Sequence, residues 1–141
     1  MPTVLVVDDE PMLREMVALM LENDGFSVLT AGSGPDAIDL SRSHRGEIDL
    51  LVSDVRMPMM DGCTLANHLQ AENPALPVLL MSGYCENEVR RSRFPILPKP
   101  FSMKSLLGVV RDLLKPARRA AKAEPLNSSP ELPAQGWEQR E

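Results

Sequence analysis

The chain has 141 residues, 20 acidic against 15 basic, a net charge of -5 and an apolar share of 43%. That length suits one domain with an appendage, and the apolar share is enough for a buried core. The charge excludes a basic nucleic-acid footprint, no apolar run approaches membrane-spanning length, and Cys63 and Cys85 have neither metal-ligand spacing nor the number for a disulfide framework.

Val4-Leu5-Val6-Val7 follows Met1 almost at once, so no signal peptide is expected, and a reduced, cytoplasmic setting is expected as well. The first strand, Thr3 to Val7, runs straight into Asp8-Asp9. A helix then starts near Pro11, and Leu13, Met16, Val17, Met20 and Leu21 mark one apolar stripe on it. Asp24-Gly25 ends that helix. Phe26 to Thr30 reads as a second strand, and Ser33-Gly34-Pro35 opens a second helix through about His44. Leu50-Leu51-Val52 is a continuous apolar run ending in Asp54, as a strand buried on both faces would be. A third helix after Asp61-Gly62 carries Leu65 and Leu69 and stops before Pro74. The fourth strand, Pro77 to Met81, ends in Ser82.

Glu86 to Arg93 is polar and holds at most about two helical turns. Phe94 to Leu97 is a short fifth strand leading to Lys99, and a last helix follows with Met103, Leu106, Leu107, Val110, Leu113 and Leu114 in register behind Ser102 as N-cap. Strand and helix alternate five times, so a parallel α/β sheet covered on both faces is expected over residues 1–115. From 116 to 141 the chain is Pro-interrupted and polar, and a disordered tail is expected.

Four strand-like runs therefore end in chemistry: Asp8 and Asp9, Asp54, Ser82 and Lys99. In open α/β sheets ligands bind at the carboxyl ends of strands. Two carboxylates 4 to 5 Å apart repel by about 3 to 4 kcal/mol at an effective dielectric near 20. One carboxyl stays protonated, or a cation neutralises the cluster. An oxygen-only donor set with open positions suits magnesium, Mg2+, which keeps waters and accepts phosphate oxygens. An ammonium and a hydroxyl opposite it complete a clamp for a transferring phosphoryl group, with Asp54 the natural acceptor. Singly, each residue has a plainer reading as a turn residue, a cap or a solvated lysine. His44 and His68 read as surface residues, and Arg90, Arg91 and Arg93 as solvated charges. The Gly32-Ser33-Gly34 run follows the second strand and lacks the rest of a dinucleotide fingerprint.

Val6-Val7-Asp8-Asp9-Glu10-Pro11, Asp54-Val55-Arg56-Met57-Pro58-Met59-Met60-Asp61-Gly62, Met81-Ser82-Gly83-Tyr84 and Lys99-Pro100-Phe101 together resemble the receiver domain of bacterial two-component response regulators. The resemblance covers about Met1 to Lys115. It implies a doubly wound, flavodoxin-like five-stranded sheet of order 2-1-3-4-5. It also implies that Asp54 takes a phosphoryl group from a phosphohistidine on a sensor histidine kinase or histidine phosphotransfer protein. Asp9, Asp54 and the backbone carbonyl of Arg56 would ligate magnesium, with Asp8 acting mainly through water. Ser82 would be the switch hydroxyl, Lys99 would pair with the phosphoryl oxygens, and Lys99-Pro100 would be cis.

Two departures stand out. Ile96 occupies the place of the usual aromatic three residues before the lysine. The interval from Ser82 to Lys99 is roughly one and a half turns shorter than in typical members, so the fourth helix is shortened. Receivers fused to hybrid histidine kinases often share this shortening. With Ile96 in place of a ring, phosphorylation is expected to act by ordering Tyr84 to Arg93 around the site. No output domain is expected, and the protein itself would be no enzyme beyond its own phosphorylation and dephosphorylation. A downstream protein target is implied without being named, and neither direct nucleic-acid binding nor membrane attachment is expected. Two readings of other classes stay open: a pseudo-receiver that binds partners without phosphorylation, and a haloacid-dehalogenase-like phosphatase. The latter wants a second Asp where Arg56 stands.

Overall fold

The computed structural model describes residues 1–83 and 93–115. The expectations for Tyr84 to Ser92, including the shortened fourth helix and Cys85, and for the tail from 116 to 141 lie outside them. The elements run β1 (Thr3–Val7), α1 (Pro11–Asn23), β2 (Ser27–Ala31), α2 (Gly34–Ser43), β3 (Leu50–Asp54), α3 (Gly62–Glu72), β4 (Val78–Ser82), β5 (Ile96–Pro98) and α4 (Met103–Leu113). All four strand pairings are parallel, in the order β2-β1-β3-β4-β5. This is the doubly wound, flavodoxin-like α/β sheet that the strand–helix alternation and the family resemblance imply.

Side chains alternate across a strand, so each central strand feeds two cores. Leu5, Val7, Leu51 and Leu80 point to one face, where they join Ala37 of α2 and Leu65, Ala66 and Leu69 of α3. Val4, Val6, Leu50, Val52, Leu79 and Met81 point to the other, against Val17 and Leu21 of α1 and Leu106, Val110 and Leu113 of α4. Each large apolar side chain so buried contributes roughly 1.5 to 3 kcal/mol. The rigid sheet then holds its strand ends, and the polar groups on them, in fixed register.

Local chemistry explains the helix starts. Ser33, Asp61 and Ser102 accept from the N–H groups of Asp36, Thr64 and Ser105, as N-cap side chains do. Three expected strands shift along the chain. Phe26 donates its N–H to the Leu21 carbonyl and belongs to the cap of α1, so β2 starts at Ser27. β4 runs one residue further than expected, through Ser82. β5 starts at Ile96, because Phe94 turns into the α3-side core and Pro95 offers only its carbonyl, to Leu80 N–H.

Met16 is also corrected. It is expected in the inward stripe of α1 but lies outward with Met12 and Leu19, in an exposed apolar row at i, i+4 and i+7. His68 is exposed, and His44 is the half-buried C-cap of α2. Arg93 is exposed, yet it donates to Asn67 and Gln70 of α3 and lies 4.2 Å over the Phe94 ring. Among the described residues no helix is long and apolar enough to cross a membrane.

Candidate functional site

Register brings the four strand ends together. Val7 pairs with Ser53 and Asp54 with Met81, so the residues after β1, at the end of β3 and at the end of β4 lie side by side. Ser82 pairs with Pro98, and Lys99 donates its N–H to the Ser82 carbonyl at 2.8 Å. The Lys99-Pro100 peptide is cis, as the resemblance implies.

One carboxylate oxygen from each of Asp8, Asp9 and Asp54 lies within 4.8 Å of the other two. Asp8 and Asp54 are buried and Asp9 is exposed, so the cluster is open to solvent on one side. Lys99 Nζ stands 2.9 Å from Asp54 Oδ1 and 3.7 Å from Asp8 Oδ2. Ser82 is buried beside them at the end of β4.

Asp8 is only 1% exposed, and its Oδ2 has no hydrogen-bond partner. Its Oδ1 accepts the Glu10 N–H at 2.9 Å. Burial pushes the Asp8 carboxyl above its ordinary value; the Glu10 N–H pulls it back, and the neighbouring Asp54 charge adds to the rise. Burial likewise raises Asp54, against the Lys99 ammonium, which lowers it. An orphaned buried carboxylate oxygen facing two further carboxylates, with oxygen donors only, fits a small hard cation such as magnesium.

The loop after Asp54 is held in two ways that its sequence does not announce. Gly62 N–H donates to Val55 O at 2.8 Å, which brings the start of α3 against the end of β3. A Cβ on Gly62 would lie 2.3 Å from the Asp54 carbonyl oxygen and 3.1 Å from Ser53 Oγ. Only glycine permits that approach. Met60 N–H donates to Pro58 O at 2.8 Å, closing a three-residue turn around Met59 at φ 74°. This left-handed conformation is strained for a non-glycine residue, and Met59 is 81% exposed.

Sequence reasoning missed Arg14. Its Nη1 donates to the Asp8 carbonyl at 2.8 Å, reaching back over the first turn of α1. Nothing in its spacing separates it from a solvated arginine.

The model of the response regulator receiver domain matches residues 4–111. The chain is 39% identical over 118 residues to the sensor kinase CckA of Brucella abortus, covering 80% of this chain and 12% of that protein. It is 41% identical over 118 residues to the probable transcriptional regulatory protein TcrX of Mycobacterium tuberculosis, covering 80% and 50%. The chain thus spans half or less of the length of these two relatives. Among solved structures it is similar to response regulator protein TrrA of Thermotoga maritima in complex with Mg2+ and BeF. The TM-score there is 0.72 and the identity 28%, covering 81% of this chain and all of that one, 100%. The fold, the strand-end cluster and these likenesses agree, and the chain belongs to the family of response regulator receiver domains.

Proposed function

We propose that Asp54 is the phosphoacceptor, taking its phosphoryl group from the phosphohistidine of a sensor histidine kinase or histidine phosphotransfer protein. The observation that carries this reading is the convergence of Asp8, Asp9, Asp54 and Lys99 at the open end of the sheet. A carboxylate oxygen of Asp54 forms the new bond to phosphorus as the phosphorus–nitrogen bond of the donor breaks, and the electron pair leaves on the imidazole. Asp8, Asp9, Asp54 and the backbone carbonyl of Arg56 are the residues that would hold magnesium. When bound, magnesium neutralises charge on the phosphoryl oxygens.

Lys99, already 2.9 Å from the acceptor carboxylate, supplies a second positive charge for those oxygens. Ser82 offers its hydroxyl from the neighbouring strand and serves as the switch by which phosphorylation changes partner binding. Met12, Met16 and Leu19 form an apolar row on the outer face of α1, where an amphipathic helix is ordinarily polar. Such a row on the helix that follows Asp8 and Asp9 supports a protein donor that docks through apolar contact.

The protein catalyses only its own phosphorylation and dephosphorylation, in the cytoplasm, and passes the signal to a protein target. The test is incubation with acetyl phosphate with and without magnesium, followed by intact mass and hydroxylamine treatment. The reading expects one hydroxylamine-labile phosphoryl group that appears only with magnesium. No incorporation under any metal condition would leave the pseudo-receiver reading in its place.

A further inference from the structure

We propose that Arg14 is a positioning residue for the magnesium pocket, fixing the peptide between Asp8 and Asp9 from which two of its carboxylates hang. The inference rests on reading the cluster as a magnesium site. Three groups of Asp8 are tied down: its N–H donates to Ala31 O at 3.2 Å, its Oδ1 accepts Glu10 N–H at 2.9 Å, and its carbonyl accepts Arg14 Nη1 at 2.8 Å. What remains is Oδ2, buried and aimed at the cluster. The bond from Arg14 is the one that sets the plane of the Asp8–Asp9 peptide. Asp9 is exposed, so that peptide plane governs where its carboxylate starts from. The three carboxylates repel one another, and an unpinned turn would let Asp9 swing away from the pocket.

The end of β2 makes room for the pin. A Cβ on Gly32 would lie 3.0 Å from Arg14 Nη1 and 3.8 Å from Cζ. Gly32 directly follows Ala31, whose carbonyl takes the Asp8 N–H. The same strand end therefore anchors Asp8 and leaves the space that the guanidinium fills. Glycine here is explained by the neighbour's side chain and not by any phosphate-binding loop.

Ligand atoms held in place before the metal arrives bind it more tightly, and losing an outer partner of a ligand typically weakens binding on the order of 10-fold. The 141-residue chain is titrated with magnesium by calorimetry. Arg14→Ala is expected to bind on the order of 10-fold more weakly. Arg14→Lys, which keeps a donor of similar reach, should recover part of the loss. Gly32→Val should weaken binding in the Arg14 protein and have no further effect in the Arg14→Ala background, because the pair then has nothing to disturb.

If Arg14→Ala binds magnesium as the wild type does and only its melting temperature changes, Arg14 is structural and the inference is wrong. Equal weakening by Gly32→Val in both backgrounds would also overturn it. If the wild type itself binds no magnesium, the pocket reading fails, and this inference falls with it.

Discussion

Lys99 Nζ lies 2.9 Å from Asp54 Oδ1, a cation from the end of β5 laid across the carboxylate at the end of β3. The same ammonium stands 3.7 Å from Asp8 Oδ2. One lysine therefore serves two buried carboxylates, which is too little positive charge for the cluster that Asp9 completes.

Lys99→Ala removes that charge. Charge-assisted hydrogen bonds contribute about 1.5 to 3 kcal/mol, partly offset here by the half-buried position of the lysine. The variant is expected to lose about 1 to 2 kcal/mol in urea unfolding at neutral pH and less in acid, where the carboxylates are protonated. It should still be labelled by acetyl phosphate while losing the conformational response to beryllofluoride in amide exchange. A variant as stable as wild type at neutral pH, with a normal beryllofluoride response, would show that the contact is incidental.

The carboxylates predict a pH dependence. Asp8 and Asp54 are raised above 3.8, chiefly by burial, so the folded protein keeps their protons to higher pH than the unfolded chain. The stability this contributes is complete below 3.8 and is lost as pH rises through the raised folded values. Asp8→Asn keeps the acceptor for Glu10 N–H and removes the charge. In magnesium-free buffer it is expected to melt above wild type at neutral pH, with the gap closing toward pH 3.8. Melting curves across that range check it, and a gap independent of pH would count against a charged, crowded pocket.

Gly62→Ala tests the seam between β3 and α3. The new Cβ would stand 2.3 Å from the Asp54 carbonyl, and backbone there cannot yield cheaply. Overpacking of this kind costs about 1 to 3 kcal/mol, and a displaced Asp54 should also slow labelling by acetyl phosphate. Denaturant midpoint and labelling rate are both read; a variant unchanged in both would mean that the seam is looser than the contacts indicate.

Met59→Gly works in the opposite direction. The left-handed backbone costs a non-glycine residue about 1 to 2 kcal/mol, and glycine returns part of the relief through its freer unfolded state. With the side chain 81% exposed, no packing is lost, so a net gain of about 0.5 to 1 kcal/mol is expected in urea unfolding. A loss of stability would mean that Met59 makes contacts its exposure conceals.

These cases show where the sequence speaks and where it does not. An apolar run that stops at a carboxylate is visible in Val4 to Asp9 and in Leu50 to Asp54, and parallel register then brings Asp8, Asp54, Ser82 and Lys99 together. Period alone could not place Met16, because Met16 and Val17 are neighbours on the chain and diverge by about 100° around the helix. Gly62 reads as an ordinary turn glycine until the helix it starts is seen against the Asp54 carbonyl. Arg14 is silent in the sequence because its partner is a backbone carbonyl six residues earlier, and a carbonyl carries no residue type. The start of β5 is hidden in the sequence for a similar reason: Phe94 is apolar, but it belongs to the core beneath the strand and not to the strand.

The most direct test of Asp54 as the acceptor is chemical mapping of the phosphorylated residue. Protein treated with acetyl phosphate and magnesium is reduced with borohydride, which converts an aspartyl phosphate to homoserine, and the peptides are then sequenced by mass spectrometry. Homoserine at position 54 and nowhere else, absent from Asp54→Asn, is the predicted result. Homoserine at Asp8, Asp9 or Asp61, or labelling of Asp54→Asn at the wild-type level, would contradict it.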